Sequence, residues 1–191
     1  MKKIKYCTTI VLFSIIFLNT KINTQALEPQ AGFNEFVEDI DDFELETTDY
    51  TINGHNGSKS FMGYKTITDK SSNQYSLQQQ AYTDEEGFRK IEDRYCVAIG
   101  TAFNAEVGQY FTVELENGEI IECIIGDIKA NKDTDKSNVF SKYGCCLEFI
   151  VDTKQLNVII KKSGDCSSLC EEWDSPCVKY IIYDELNYLE N

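Results

Sequence analysis

The feature that most constrains the fold is a pair of alternating apolar runs around Asn117-Gly118, within YFTVELENGEIIECIIGD at residues 110–127. Asn-Gly favours a type I′ turn, whose twist matches that of two antiparallel strands. The alternation gives each run one apolar and one polar face, as in a half-buried strand. The sequence therefore predicts a β-hairpin at this position.

Further runs with strand character precede and follow the hairpin. We predict strands in residues 61–68, 88–100 (a strand, a turn and a second strand), 146–152 and 178–185, with another apolar run at 156–162. Phe, Tyr, Val and Ile are frequent, which is typical of strands. Many short strands, little helix and no internal repeat predict a mainly β fold, either a small closed barrel or a sandwich.

The first 26 residues have the pattern of a cleavable secretory signal peptide. A basic start (residues 2–5) precedes an uncharged apolar run (residues 7–18), and Thr24 and Ala26 occupy the small-residue positions that a signal peptidase reads. The run is shorter than the roughly 20 residues that span a bilayer; an uncleaved anchor is the alternative. We expect an exported protein, secreted or associated with the cell wall or surface, without stable membrane insertion after cleavage.

Residues 27–58 predict an acidic linker with one short amphipathic helix, because Phe33, Phe36, Val37 and Ile40 recur at helical spacing among acidic residues. The loop that follows contains two Asn-Gly pairs and His55, the single histidine, which we interpret as a surface residue. Residues 59–191 then form the β domain with a Cys-rich C-terminal extension.

The net charge of −14 argues against a nucleic-acid partner, because phosphate binding needs clustered Lys and Arg. Seven cysteines follow the leader, and outside the cell such a number indicates disulfides with one thiol left over. Cys166, Cys170 and Cys177 predict a disulfide in the tail. Their spacing is not that of a standard zinc site, and no histidine lies nearby, so we expect no metal and no cofactor. The adjacent Cys145 and Cys146 are expected on opposite faces of a strand.

Two aspartates stand at the ends of apolar strands. Asp127 ends the second strand of the hairpin and Asp152 ends the strand at 146–152. If these strands are neighbours, the two carboxyls approach each other, and the pKa of one rises so that a protonated acid is available near neutral pH. The alternative is that each aspartate caps a turn by accepting backbone N–H groups. The loop with Asp133 and Asp135 does not match a calcium loop.

Five short segments occur in the order found in one group of bacterial proteins. They are Tyr64-Lys65-Thr66, Val97-Ala98-Ile99-Gly100, Val107-Gly108, the IIGD that ends at Asp127, and Ile150-Val151-Asp152. In this order the chain resembles the double-psi β-barrels of cell-wall proteins: the three-aspartate domain and its relatives of the murein lytic transglycosylase A and rare lipoprotein A types. The resemblance covers roughly residues 61–155. The chain also looks like a group of exported Firmicute proteins with a Tyr-Cys-Val-Ala-x-Gly strand and an Asn-Gly hairpin, which implies no activity.

The resemblance implies a small six-stranded double-psi β-barrel-like domain that acts on cell-wall glycan as a peptidoglycan lytic transglycosylase. In that chemistry one carboxylic acid protonates the glycosidic oxygen, and its conjugate base takes the proton of the sugar's own 6-hydroxyl. Asp127 would be the acid/base, and Asp152 would position it or tune its pKa. The residues that would contact substrate are Lys129, Asp135, Tyr64 and Tyr110, with Tyr75 as a further stacking candidate; barrel core is the alternative for the tyrosines.

The chain departs from the family pattern in two places. Gly100 stands where the family has its first aspartate, and Ile128-Lys129-Ala130 follows Asp127 in place of Thr-Gly-Gly. These departures favour an alternative function, a non-catalytic exported module that binds glycan or protein. The tail at 164–176 favours it as well, as a stapled loop that exposes Trp173. A hydrolytic glycosidase with two carboxylates is a third alternative.

Overall fold

Nine β-strands and two α-helices make up residues 45–189, the part of the chain that this computed structural model describes. The strands are β1 (Thr47–Thr51), β2 (Lys59–Gly63), β3 (Tyr82–Thr83), β4 (Arg89–Ile91), β5 (Arg94–Ile99), β6 (Gln109–Leu115), β7 (Ile120–Ile128), β8 (Leu147–Val151) and β9 (Cys177–Asn187). The helices are α1 (Asn73–Gln80) and α2 (Val158–Ser163). Short 3₁₀ helices lie at Tyr64–Thr66, Thr101–Phe103, Asn131–Asp133, Cys166–Leu169 and Glu171–Trp173.

All of these strands belong to one open mixed sheet, which confirms the prediction of a mainly β fold. The strand order is β1-β9-β6-β7-β5-β4-β3, and β8 pairs with both β5 and β2. Two pairs are parallel, β2 with β8 and β5 with β7, whereas β8 runs antiparallel to β5. The sheet has nine strands where the resemblance implies six.

The Asn117-Gly118 hairpin is confirmed. Strands β6 and β7 pair antiparallel from Tyr110 opposite Ile124 to Glu114 opposite Ile120. Gly118 has a φ of +85°, a conformation that glycine adopts without a steric penalty. The prediction was reliable because both the alternation and the turn are local properties of the sequence.

The predicted strand at 61–68 ends in a 3₁₀ helix, and the apolar run at 156–162 contains an α-helix. After β2 the chain turns into a 3₁₀ helix because the Thr66 hydroxyl donates to the Gly63 carbonyl over 2.8 Å. The run at 156–162 forms α2, since the Asn157 side chain accepts from the Ile159 amide over 2.8 Å and so caps the helix. Helix α1 was not predicted; Ser72 caps it, and its sequence lacks an amphipathic pattern.

Strand β1 lies in the segment that the sequence analysis assigned to the linker. It pairs antiparallel with β9 from Thr47 opposite Tyr183 to Thr51 opposite Lys179, so the sheet includes residues before 59. The predicted leader and the predicted helix at residues 33–40 lie outside the described residues. Within residues 45–189, no helix is long and apolar enough to cross a membrane.

Apolar side chains pack on both faces of the sheet. Because successive residues of a strand point to opposite faces, β8 sends Phe149 and Val151 into the larger core cluster and Ile150 into the smaller one. Helix α1 contributes Leu77 to the smaller cluster. The strands in the middle of the sheet therefore pack apolar side chains on both sides.

The C-terminal tail differs from its prediction. Trp173 is only 6 % exposed, and its ring stacks on Phe149 with centroids 5.2 Å apart and an interplanar angle of 6°. The prediction of an exposed tryptophan is therefore wrong, because the tail packs against β8. No two cysteines of residues 45–189 are at disulfide distance, so the predicted staple between tail cysteines is not shown.

Candidate functional site

A groove of about 450 Å³ opens where β7 ends, beside β8 and the loop that follows β7. We call it the Asp127 groove. The residues that line it are Met62, Asp127, Lys129, Ala130, Asp133, Ser141, Lys142, Tyr143 and Glu148. Asp127 and Lys129, two of the residues predicted from the sequence, are thus brought together here.

Strand β5 positions two of the three carboxylates of the groove on either side of itself. Ala98 on β5 is paired with Asp127 on β7 and with Glu148 on β8. Strands of a sheet lie about 4.8 Å apart, so the backbones at Asp127 and Glu148 are separated by about 10 Å. The small side chain of Ala98 lies between them and is buried.

A β-bulge orients Asp127. Val97 is paired with Ile125 and Ala98 with Asp127, so Gly126 is an extra residue in β7. A Cβ at position 126 would lie 2.6 Å from Ile150 Cδ1, so a larger residue there would have to displace the Ile150 side chain. The bulge lets β7 pack closely against β8 side chains and turns Asp127 toward the groove.

Burial raises the pKa of Asp127, and the negative charge of Glu148 acts in the same direction. Hydrogen bonds from the Ile128 amide (2.9 Å) and from the Gln74 side chain, together with the charge of Lys129, oppose the rise without cancelling it. A carboxyl group in this state holds its proton to a higher pH than an ordinary aspartate. It can therefore donate a proton to a bound ligand.

Lys129 and Glu148 form an ion pair within the groove, and both side chains are largely buried. The pair leaves Glu148 charge-compensated, whereas Asp127 forms no ion pair among the described residues. The two carboxylates therefore differ in their surroundings: Glu148 is bound to Lys129, and Asp127 has no cationic side chain of residues 45–189 bound to it.

The loop after β7 forms the other wall of the groove and contributes Asp133, Lys142 and Tyr143. Tyr143 is 87 % exposed, so its ring is free to stack on a flat apolar surface such as the face of a sugar ring. Asp133 and Lys142 supply an acceptor and a donor for hydroxyl or carboxylate groups. The wall thus combines an aromatic platform with polar groups of both signs.

Gly100, at the end of β5, contacts this same loop. A Cβ at position 100 would lie 1.9 Å from the Asn138 carbonyl oxygen, and the Ala102 amide donates to that oxygen over 3.3 Å. An aspartate cannot occupy this position without displacing the loop backbone. The close packing of the loop on the end of β5 therefore favours glycine at this position.

Asp152 does not line the Asp127 groove. Strand β5 separates β7 from β8 and is parallel to β7 but antiparallel to β8. The C-terminal ends of β7 and β8 therefore point in opposite directions along the strand axis. The Asp152 carboxylate accepts the Lys154 amide over 2.9 Å and a bond from the Gln155 side chain. The hydrogen bond from Lys154 is the main reason why the pKa of Asp152 is lowered. This geometry is that of the turn cap, the alternative interpretation.

The remaining predicted contact residues lie elsewhere. Burial tends to raise the pKa of Asp135, but hydrogen bonds from Ser137 and from loop amides together lower it. Asp135 is therefore a loop cap. Tyr64 and Tyr75 line a second cavity of about 350 Å³, next to α1. Tyr110 packs its ring against Arg94 at 4.8 Å. None of these residues lines the Asp127 groove.

Sequence reasoning missed Glu148 and Gln74. Glu148 carries a usable signal, since it is the single charged residue inside the apolar run CLEFIV. Gln74 belongs to an unpredicted helix and carries no such signal. His55 was interpreted as a surface residue, yet it is half-buried, and its Nε2 donates to the Cys177 carbonyl oxygen over 2.8 Å.

Within the described part of the chain, no group of three or more His, Cys, Asp or Glu side chains is arranged to hold a metal ion. No protein-family model matches this chain, and no curated protein matches it. The argument for function therefore depends on the geometry of the groove and on the chemistry of its residues.

Proposed function

We propose that the Asp127 groove binds cell-wall glycan and that Asp127 acts there as the general acid and base of a lytic transglycosylase. The observation that carries the proposal is the raised pKa of Asp127 in an open groove where the nearby carboxylate of Glu148 is already paired with Lys129. One unpaired carboxyl group that can hold and release a proton is what this reaction requires. A second, nucleophilic carboxylate is not needed.

The mixed strand pairing supports the double-psi resemblance. We propose that the region around β2, β5, β7 and β8 corresponds to the double-psi part of the family's barrel. Support comes from the two parallel pairs, β2 with β8 and β5 with β7, which are joined by an antiparallel pair. In this correspondence Asp127, at the end of β7, occupies the place of the family's catalytic carboxyl, whereas Asp152 acts only as a turn cap.

The proposed reaction begins with protonated Asp127 against the glycosidic oxygen of a bound glycan. Asp127 donates its proton to that oxygen as the bond to the anomeric carbon breaks. The Asp127 carboxylate then accepts the proton of the 6-hydroxyl on the same sugar, whose oxygen forms the new bond to the anomeric carbon. The product is a 1,6-anhydro sugar, the leaving sugar carries the first proton, and Asp127 is again protonated.

The other groove residues have binding roles in this scheme. Tyr143 supplies a stacking surface for a sugar ring, and Lys142 can pair with a carboxylate on the substrate. The Lys129–Glu148 pair places a fixed positive charge next to Asp127. That charge stabilises the Asp127 carboxylate during the interval between the two proton transfers.

The test uses the purified full chain and insoluble peptidoglycan, with soluble products identified by mass spectrometry. We expect 1,6-anhydro-muropeptides from the wild-type protein and a loss of about 10²- to 10⁴-fold in release rate for Asp127→Asn, the usual range for a general acid. Asp93→Asn, an exposed aspartate outside the groove, is the matched control and should release product at the wild-type rate. Wild-type rates from Asp127→Asn would overturn the proposal.

The second candidate is a module that binds glycan without cleaving it. The observation that favours it is that the Asp127 carboxyl already accepts bonds from the Ile128 amide and from Gln74, so its oxygens are engaged without substrate. The same assay separates the two functions. Binding to the insoluble glycan that is weakened by Tyr143→Ala, with no soluble product, identifies the binding module; products with ordinary reducing ends identify hydrolysis.

A further inference from the structure

Three segments that are far apart in the chain meet where β8 and β9 begin. Cys146 directly precedes β8, Cys177 is the first residue of β9, and His55 lies in the loop before β2. His55 holds the segments together: its Nε2 donates to the Cys177 carbonyl oxygen over 2.8 Å, and its Nδ1 accepts the Gly57 amide over 2.9 Å. The Tyr180 hydroxyl donates to the Cys146 carbonyl oxygen from β9.

The two cysteine side chains contact each other within this cluster. The Cys177 thiol lies within hydrogen-bonding reach of the Cys146 sulfur, and the His55 ring, whose two nitrogens are bonded to the backbone, lies beside that sulfur. Both cysteines are buried, and Cys146 is 4 % exposed. Their sulfurs are not at bonding distance, so the structure describes the pair as a dithiol.

A buried positive charge lies next to the pair. The Lys59 side chain is 0 % exposed, and none of the carboxylates in residues 45–189 forms an ion pair with it. A buried charge is costly unless a group of opposite sign compensates it. A thiolate at Cys146 is such a group, and the charge of Lys59 acts on both Cys146 and Cys177.

The two thiols are not equivalent. The hydrogen bond from Cys177 is the main cause that lowers the pKa of Cys146 below that of an ordinary thiol, and the neighbouring His55 and the charge of Lys59 act in the same direction. The same bond raises the pKa of Cys177, because its thiol is the donor. The carbonyl oxygens of Gly57 and Ser58, 3.8 and 3.5 Å from the Cys146 sulfur, favour the thiol form but do not outweigh these contacts.

We propose that Cys146 and Cys177 are a redox-active thiol pair, in which Cys146 is the attacking sulfur and Cys177 the resolving one. The co-reactant is a disulfide, either a small one or that of a thiol-oxidising protein. The Cys146 thiolate attacks one sulfur of that disulfide and releases the other half as a thiol. Cys177 then loses its proton and attacks the Cys146 sulfur, which releases the second half. Two protein thiols are oxidised to one disulfide, and the co-reactant is reduced to two thiols.

The other cysteines are not arranged for this reaction. Cys166 directs its sulfur to a backbone carbonyl, and Cys170 donates to the Glu172 carboxylate over 3.0 Å. Cys96 and Cys123 belong to different core clusters on opposite faces of the sheet. Burial raises the pKa of both Cys96 and Cys123, which makes their thiols poor nucleophiles.

The test is disulfide mapping on the full chain under native conditions. The reduced protein is equilibrated with mixtures of reduced and oxidised glutathione, quenched with acid, alkylated, digested without reduction and analysed by mass spectrometry. We expect one intramolecular disulfide, between Cys146 and Cys177, with the other cysteines alkylated. A disulfide that joins a different pair, or oxidation only after denaturation, overturns the proposal, and neither result depends on a variant that must fold.

A variant distinguishes the two roles. In Cys177→Ser the resolving sulfur is absent but a hydroxyl donor to Cys146 is kept, so a glutathione adduct should accumulate at Cys146 to at least about tenfold the wild-type level, because no second thiol displaces the glutathione. Cys166→Ala removes an equally buried thiol nearby and should still form the wild-type disulfide. An adduct at Cys145 instead of Cys146 contradicts the assignment of the attacking sulfur. The outcome does not depend on the activity of the Asp127 groove.

Discussion

We predict that the buried Lys59 side chain stabilises the packing of the C-terminal tail against the sheet. Its Nζ donates to the carbonyl oxygens of Trp173 (2.6 Å), Ser175 (2.8 Å) and Gly57 (3.2 Å), and lies 3.4 Å from the Ser167 hydroxyl. One side chain thus joins β2 to three positions in the tail and the preceding loop. Lys59→Met keeps the length of the side chain and removes all of its donors.

The magnitude follows from the acceptors that lose their partner. An unsatisfied buried acceptor costs about 1–3 kcal/mol, so three carbonyl oxygens amount to about 3–9 kcal/mol, with the lower half expected because the tail can relax. Relief from burying the lysine charge and the apolar contacts of methionine offset part of this cost, by about 2 kcal/mol. We expect the free energy of unfolding to fall by about 3 kcal/mol for Lys59→Met.

Urea denaturation measures this change. The transition is followed by the fluorescence of Trp173, the only tryptophan, and by circular dichroism, with a reductant present so that thiol oxidation does not contribute. Lys161→Met is the matched control, because Lys161 is exposed and makes one 3.2 Å bond to the Lys154 carbonyl; it should change stability by less than about 0.5 kcal/mol. A Lys59→Met transition within that same margin of wild type would refute the reasoning.

Two further predictions concern the packing of the groove loop and the turn after β8. Gly100→Ala should lower the free energy of unfolding by about 1–3 kcal/mol through overpacking, because its Cβ meets the Asn138 backbone. Gly63→Ala meets only the Thr153 side chain, at 2.9 Å, and should lose less stability in the same urea titration; equal losses for the two variants would contradict this reasoning. Asp152 has a lowered pKa, so its charge contributes stability above the usual aspartate range that is lost as pH falls through the folded-state pKa. The stability difference between wild type and Asp152→Asn, measured from pH 7 to pH 3, should therefore shrink below about pH 4, and a constant difference would rule out a contribution from the charge of Asp152.

The sequence predicted elements whose causes are local. The Asn117-Gly118 hairpin depends on alternation and on one turn, and both are visible in the residues themselves. The position of Asp127 at the end of an apolar strand was visible for the same reason. Helix α2 was missed because VIIKK has the composition of a strand, and its cap, Asn157, decided the outcome.

The partner of Asp127 depends on strand order, which composition and periodicity do not determine. Had β7 and β8 been parallel neighbours, Asp127 and Asp152 would have met; instead β5 lies between them and β8 runs the other way. Reversing a strand exchanges its two ends, so the carboxylate near the start of β8 faces the groove and the one at its end caps a turn. Glu148 therefore lies in the groove beside Asp127, the position that Asp152 would have had if β7 and β8 were parallel neighbours.

The contacts among His55, Cys146 and Cys177 could not be predicted from the sequence either. A single histidine in a loop gives no information about its neighbours, and His55 is separated from Cys146 and Cys177 by most of the domain. These residues meet because β2 pairs with β8 while the chain before β2 runs back beside β9, which makes the contact a product of the whole sheet. The residue type alone therefore could not predict the role of His55 or Cys146, because the pKa of the Cys146 thiol depends on Lys59, His55 and Cys177 together.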